Sequence, residues 1–506
     1  MKRVERILTA LATLALSACA TSGLEMAPPA PDRPWSPKVS AGGEIVAGTP
    51  DTQDSSRYVL PANRALATRP PAVTDQAKVY TLPTLIDLAE STQPTTRIAW
   101  NEARRAALAA GIAESAYLPQ ITASALAGRQ NSHGHATADG IGIGSRGSAS
   151  GTLSALSVQW LLFDFGERTA VVDAAKQASA ISNIAFTAAH QQIIHAVSAA
   201  FYAHAAARGR QRTSLQSVQN ARQVEDAAQA RYRQGLGTVV ELAQARQATA
   251  AAELAQVNAD GSERDAYLAL MNAVGLPPLD EIHLADVSAR PLPSELRDSL
   301  DDRIASALSR RPDVLSAYAA TKASAAKIRA ARAEFMPKVF LSAVGAYGRG
   351  DLSVNTLPSA GPQPPAVNTS GHRFNSSVFL GVSVPLYDGG TRSAMLARAR
   401  AEADSADVTL NKVRDEAVRQ VVAAENALRT ALAAHDAAGK LVQAAQTTFD
   451  AALAAYRKGL GSITEVSLAE NQLLLARNAL GDAHSAALTA AATLALATGE
   501  LGGPPP

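Results

Sequence analysis

Two stretches of two-residue alternation interrupt a chain that is otherwise patterned at the three-to-four-residue spacing of helices. In the second, Val378, Leu380, Val382, Val384 and Leu386 alternate with Phe379, Gly381, Ser383, Pro385 and Tyr387. In the first, Leu156, Val158, Trp160 and Leu162 alternate with Ala155, Ser157, Gln159 and Leu161. Such patterning predicts strands with one apolar face, because successive side chains point to opposite sides. The segments about 119–129 and 337–349 alternate less clearly and are expected to be the partner strands. The Gly/Ser-rich stretches between, 130–151 and 351–372, read as long loops. Elsewhere helices dominate. Asp164 to Arg233 and Asp388 to Lys458 contain no proline, so each predicts a helix of roughly 65–70 residues, about 100 Å long. Val413, Ala417, Val421, Ala424 and Leu428 show heptad-like spacing within the second.

The two patterned regions belong to an internal duplication. YRQGLGTVVEL at 232–242 recurs as YRKGLGSITEV at 456–466. Phe163-Asp164-Phe165-Gly166 and Arg168 recur as Tyr387-Asp388-Gly389-Gly390 and Arg392, and Gly275 recurs as Gly499, all 224 positions on. Pro94 and Pro312, and Pro119 and Pro337, are separated by 218. Six extra residues therefore sit in the second copy's hairpin, where an exposed loop tolerates them. The expected organisation is a first repeat over 81–293, with helices 84–117, a β-hairpin 119–163, a long helix 166–234, a helix 238–274 and a linker 276–293. A second repeat over 294–506 has helices 301–335, a hairpin 337–387, a long helix 390–458, a helix 462–498 and a tail. In each half two short helices together nearly match the long one in length, which predicts a wall of constant height.

Composition adds little to this and then a compartment. Charge is balanced at +2 formal, charged residues are 18% and aromatics 4%, which excludes a typical nucleic-acid binder and fits long helices packed through small side chains. The single cysteine, Cys19, rules out an intrachain disulfide. Lys2, Arg3 and Arg6, a short apolar run Ile7 to Leu16, and Leu16-Ser17-Ala18-Cys19 have the shape of an export signal ending in a lipidation cysteine. Residues 1–18 are thus expected to be a lipoprotein signal peptide, and 19–80, rich in Pro, Gly and Ser, a tether from the lipid. After the signal no stretch is long and apolar enough for a transmembrane helix, but a β-barrel remains open.

The repeated eleven residues read as a capped helical turn. Arg231, Arg233, Arg457 and Lys458 lie in a last turn, where cations complement the helix dipole. Gly235 and Gly459 suit the left-handed position that ends helices. Thr238-x-x-Glu241 and Ser462-x-x-Glu465 have capping-box spacing.

Long helix, Tyr-x-x-Gly-x-Gly tip, a hairpin ending in Leu-Phe/Tyr-Asp-x-Gly and the duplication together resemble the TolC-like outer-membrane factors, over about 81–500. Arg310-Arg311-Pro312-Asp313-Val314 and Val384-Pro385-Leu386-Tyr387-Asp388-Gly389-Gly390 resemble the lipidated branch serving RND-type efflux pumps. The resemblance implies a mainly α fold with membrane β. Duplicated helical hairpins would form a periplasmic α-barrel, and four strands per chain would join a 12-stranded transmembrane β-barrel in a homotrimer. It implies a periplasmic adaptor and an inner-membrane pump of RND or ABC type as partners, in the outer membrane of a Gram-negative bacterium, for efflux or type I secretion. Glu465 matches an acidic position at the closed periplasmic constriction. Tyr456 and Glu241 match positions whose hydrogen bonding holds neighbouring hairpins together. Leu468 stands where a second acidic ring is expected, and Gly461 where a locking arginine is expected. The tips Arg233, Gly235, Leu236, Gly237, Lys458, Gly459, Leu460 and Gly461 are the implied adaptor contacts. Leu156, Val158, Trp160, Leu162, Val378, Leu380, Val382 and Val384 are the implied membrane-facing residues.

No catalytic residue, metal site or cofactor is expected: there is no P-loop, dinucleotide fingerprint or nucleophile elbow in a fitting context. His133 and His135 read as residues of a solvated loop. His190, His195 and His204 lack the spacing of a helical metal pair. Phe163, Phe165, Tyr387 and Trp160 near strand ends are candidate interfacial girdle residues. A competing reading is a lipid-anchored periplasmic coiled-coil adaptor or scaffold without a pore.

Overall fold

A computed structural model describes residues 75 and 77–502, apart from 139–140, 278–280, 294–298, 351, 355–366 and 370, together with short pieces of 26–67. Side chains are described except over 130–149, 352–354, 367–369 and 372. Cys19 and the signal segment lie outside the described residues. The chain divides into two units, 1–75 and 76–506. The described pieces of the first hold a 3-10 turn, Arg64–Ala67, and a bridge between Val39 and Ile45.

The second unit repeats itself helix for helix. Its first half contains β1 (Val79–Tyr80), α1 (Leu82–Thr92), α2 (Pro94–Ser115), β2 (Gln120–Ala138), β3 (Ile141–Phe163), α3 (Glu167–Arg233), α4 (Val239–Val274) and β4 (His283–Leu284). The second contains α5 (Leu300–Arg310), α6 (Pro312–Ala333), β5 (Lys338–Gly350), β6 (Leu352–Val354), β7 (Val367–Thr369), β8 (His372–Ser383), α7 (Thr391–Arg457) and α8 (Ile463–Thr498). The two long helices α3 and α7 have 67 residues each, and α4 and α8 have 36 each. The expected 84–117 and 301–335 segments are each two helices. They break before Pro94 and Pro312, which sit at the first helical position where a missing N–H costs nothing.

Contacts along α3 show how the short helices are shared out. Near its start Lys176 pairs with Glu114 of α2 and Asp173 with Arg329 of α6. Further on, Gln211 meets Asp260 of α4 and Arg210 meets Asp482 of α8. Helix α7 packs on α6 and α8 in turn, with Glu402 near Lys327 and Gln446 bonded to Arg477. The break is itself bonded shut. Gln93, the residue capping α2, donates to the carbonyls of Asn272 and Ala273 at the end of α4. Arg311, the residue capping α6, donates to Ala497 O at the end of α8. Gly275 and Gly499 stand at these junctions with φ of 81° and 76°, and a Cβ there would approach Gln93 Cα to 3.0 Å and the Arg310 carbonyl carbon to 3.2 Å. Two short helices thus continue one another beside each long one. Small residues allow the close packing: Ala228, Ala245, Ala445, Ala469 and Ala476 line the core of Val224, Leu242, Phe449, Leu453, Val466 and Leu473 near the tips.

Strands β2, β3, β5 and β8 form one antiparallel sheet in that order, leaving β2 and β8 as its edges. The register aligns the two copies: Ile121, Val158, Ala343 and Val378 form one row, and Trp160, Leu341 and Leu380 another. Where 130–151 was expected to be a loop, β2 and β3 continue as a paired ribbon from Arg129/Ser150 to Ala138/Ile141. Gly/Ser-rich sequence hides this, since a strand without large side chains has no alternation to read. A small two-stranded pair, β6 with β7, occupies part of the second expected loop.

Each strand-to-helix junction is tied by the same ion pair. Asp164 Oδ2 accepts from the Arg168 N–H at 2.9 Å and from Arg168 Nε at 2.8 Å. Arg168 also donates to the carbonyls of Ala116, Leu161 and Leu162. Asp388 and Arg392 repeat this with Pro385 O as the carbonyl. Burial would raise the Asp164 carboxyl, but the Arg168 bonds prevail and hold it below the usual range.

Candidate functional site: the paired helical tips and the strand face

The α3/α4 and α7/α8 turns are built alike and then diverge. Helix α3 ends with Leu236 N–H and Gly237 N–H both donating to Arg231 O, and α7 with Leu460 N–H donating to Ala455 O. Gly235 and Gly459 have φ of 71° and 77°, as expected of residues ending helices. Ser462 and Glu465 form a complete capping box: Glu465 N–H donates to Ser462 Oγ at 3.2 Å, and Ser462 N–H to Glu465 Oε2 at 3.0 Å. The first copy forms half of one. Thr238 Oγ1 accepts from Glu241 N–H at 3.1 Å, but the Glu241 carboxylate does not return the bond. Its Oε2 is buried without a hydrogen-bond partner.

A second difference between the copies lies across the groove between hairpins. Arg231 reaches from α3 to α7: Nη1 donates to Tyr456 O at 3.2 Å, Nη2 donates to its own turn at Leu236 O at 3.1 Å, and the guanidinium lies 5.1 Å from the Tyr456 ring centre. Tyr456 is 1% exposed, and its hydroxyl, Arg231 Nε and Glu241 Oε2 are all buried without partners. Burial, and then the Glu241 charge, push the Tyr456 phenol above its ordinary value. Tyr456 and Glu241 therefore lie within electrostatic reach but form no hydrogen bond in this chain. Sequence reading placed Arg231 only as a helix-end cation. Its role was recoverable only from the asymmetry of the repeats, since its counterpart is Ala455.

Glu465 is exposed beyond its cap, and Leu468 is exposed on the same helix, as are Leu236 and Leu460 in the turns. Gly461 has no room to spare: a Cβ would lie 3.3 Å from both Ala455 Cβ and Glu465 Oε2. Arg233 and Lys458 are exposed.

At the sheet, Leu156, Trp160, Leu162, Val378, Leu380, Val382 and Val384 are exposed and Val158 is half-buried. The opposite face covers a small cluster of Leu153, Ala155, Val344 and Ala346, flanked by Ser124, Thr122, Ser157, Ser377 and Asn375 in the same rows. One face thus carries the exposed row of Leu156, Trp160, Val378 and Leu380, while the other mixes Ser, Thr and Asn with Leu161, Phe340 and Phe379. Trp160 Nε1 donates to Tyr117 O, Phe163 and Phe165 meet edge to face, and Tyr387 is exposed.

The histidines are separate from these features. His190, His195 and His204 meet Glu90, Thr493 and Glu263 respectively. His133 and His135 lie on β2, in the expected loop that is a strand. Among the described residues no group of three or more potential metal ligands occurs, and no helix is long and apolar enough to cross a membrane.

A family model described as outer membrane efflux protein matches residues 85–276 and 304–500, both repeats. The chain belongs to this family. Protein CyaE of Bordetella pertussis is 30% identical over 433 residues, covering 86% of each chain. The outer membrane efflux protein BepC of Brucella suis is 28% identical over 276 residues, 54% of this chain and 56% of its own. Among solved structures, the outer membrane protein VceC of Vibrio cholerae superposes with a TM-score of 0.68 at 22% identity, over 83% of this chain and 96% of that one. The MtrE outer membrane channel of Neisseria gonorrhoeae, solved in an open state, gives 0.67 at 21% identity over 83% and 88%. These likenesses concern the fold: a helical barrel with a β-barrel part. Membership of the efflux family makes the chain an outer-membrane channel protein and not an enzyme.

Proposed function

We propose that three copies assemble into a passive export duct spanning the outer membrane and reaching into the periplasm, fed by an adaptor and an inner-membrane pump. The observation that carries this is the open sheet. Four strands with free edges at β2 and β8 cannot end in lipid, where unpaired backbone groups cost several kcal/mol each, and three copies closed edge to edge give 12 strands. The apolar row through Ile121, Val158 and Val378 then faces lipid, and the opposite face, with Thr122, Ser124, Ser157, Asn375 and Ser377, lines the lumen. The helices continue the duct, and the tips converge on a constriction where Glu465 and Leu468 stand inward and Tyr456, Glu241 and Arg231 hold each pair of hairpins. The exposed turn residues Leu236 and Leu460 offer the adaptor an apolar landing.

Cys19 carries the lipid, with 19–80 as tether, on the strength of its signal-like flank. Small-molecule cargo and an RND-type pump are favoured by the motifs of the lipidated branch, and relatives include one described as a pyoverdine export outer membrane protein. Purified protein in planar bilayers should show discrete conductance steps, and an absence of pores from correctly folded trimer overturns the reading. Loss of palmitate labelling in Cys19→Ser tests the anchor.

A further inference from the structure

The linker that follows α4 crosses α3 and α8 and is fastened to both. Arg212 Nη1 donates to Asp286 Oδ2 at 2.9 Å, His484 Nε2 meets Arg290 O at 2.9 Å, and the Arg290 guanidinium lies 5.9 Å from the Tyr202 ring centre. Beside this strap, between α3, α7, α8 and residues 284–288, is a half-enclosed cavity of about 330 Å³. That volume lies at the small end of the range for small-molecule sites.

Its lining is strongly one-signed. Arg208, Arg212, Arg477, His204, His435 and His484 face it, against one acid, Asp286. With the histidines neutral the formal charge of the lining is therefore +2. Asp286 is committed, its carboxyl held down to about 2 by the Ser288 N–H and the Arg212 guanidinium. Arg477 spends one bond on neutral Gln446 and lies within electrostatic reach of Glu470, which is not in the lining. His204 is engaged by Glu263, whereas His435 stands ring to ring with His484 at 5.6 Å. Arg208 is half-buried and has neither a hydrogen bond nor an ion pair among the described residues. Like charges gathered in a partly desolvated space repel one another, and a fold keeps them there at a cost in stability unless an anion joins them. Guanidinium groups present forked donors that match tetrahedral oxyanions, and a dianion would cancel the lining charge where one carboxylate would cancel half.

We propose that this cavity is a binding site for a phosphate-type dianion, either free phosphate or the head of a small phosphate monoester, with Arg208 as its unengaged donor. Bound there, the ligand bridges α3 and α8 beneath the strap and ties the linker to the helices. The site is independent of the duct reading, since it needs neither the tips nor the sheet.

Calorimetric titration of the full-length protein in detergent, at constant ionic strength, tests it with inorganic phosphate and with glycerol 3-phosphate. Saturable binding of one per chain is expected for at least one probe, and comparing the two separates free phosphate from a monoester. Arg208→Gln should weaken it about tenfold, the loss of one charged hydrogen bond, and Arg208→Lys should restore part of it. Arg210→Gln, whose guanidinium pairs with Asp482 away from the lining, should bind like the parent. The proposal fails if neither probe saturates, if Arg208→Gln binds as tightly as the parent, or if both glutamine variants lose affinity equally. It also fails if succinate or an acidic peptide binds and neither phosphate does.

Discussion

Arg231→Met isolates the contact between the two hairpins of one chain. Methionine keeps an unbranched apolar stem but removes the donors and the charge. What is lost between hairpins is the bond to Tyr456 O at 3.2 Å and the guanidinium over the Tyr456 ring at 5.1 Å. A hydrogen bond from a charged donor contributes about 1.5–3 kcal/mol and an exposed cation–π contact about 0.5–1 kcal/mol. The bond is long and Arg231 is half-buried, so the lower ends apply, giving about 2 kcal/mol per chain. If each hairpin pair loosens alone, this shifts the closed-to-open ratio roughly 30-fold. The bond to Leu236 O is internal to the turn and is spent on local order, not on coupling. Single-channel recording should show the open dwell fraction of Arg231→Met rising by that order, with unitary conductance through the sheet region unchanged. Arg233→Met, which removes an exposed cation two residues away, is the control. Gating of Arg231→Met indistinguishable from that control, in protein of normal helicity, would refute the clamp.

Three further changes test other links. Arg303→Met should lower the thermal unfolding temperature by several degrees: Arg303 and Glu425 side chains are 9% and 4% exposed at 2.6 Å, and breaking a buried pair costs about 3 kcal/mol or more, reduced here because Arg429 remains on Glu425; an unchanged temperature would show the pair to be dispensable. Glu470→Gln should stabilise the protein at neutral pH. Burial lifts the Glu470 carboxyl above 4.5 despite the Ser217 hydroxyl and Arg477, so the folded state binds more protons than the unfolded chain between 4.5 and the raised value. Stability must therefore fall as pH rises through that window, and the gain from glutamine should shrink on acidification; a pH-independent difference counts against the assignment. Gly461→Arg should reduce spontaneous opening in bilayer recordings, because it brings a cation beside Glu465, whose Oε2 would lie 3.3 Å from the new Cβ. Pulling Glu465 from its cap costs about 1 kcal/mol, offset by the new ion pair at the proposed constriction; increased opening would show that the cap, and not the charge, decides the closed state.

What could be read from the residues alone follows from how local the cause is. The proline-free runs, the prolines at 94 and 312 and the glycines at 235 and 459 act within a turn of themselves, and the helices end close to where these residues place them. The apolar alternation at 156–162 and 378–384 likewise marks one side of a sheet, and the register sets both copies on that side. The ribbon at 130–149 was illegible because its strand character comes from pairing between partners and not from large side chains. Arg231 does lie in the last helical turn, but its reach to the other hairpin was not legible because Tyr456 is 225 residues away. The half-formed box at Thr238 could not be told from the complete one at Ser462, since the spacing and the type of capping residues are the same.

That last difference bears on why a doubled chain is useful. A ring of six identical half-length chains would give every tip the same residues and every groove the same contacts. Here one tyrosine of the pair, Tyr456, is 1% exposed and its twin, Tyr232, is 44% exposed, while Arg231 faces it from a position that holds Ala455 in the other copy. In the proposed trimer the two differing copies in each chain make the grooves alternate around the ring. One kind lies within a single polypeptide, bridged by Arg231 and Tyr456, and the other would be made between the subunits of that proposed trimer. Mutation can then tune the second without disturbing the first, a freedom that six equivalent parts would never possess.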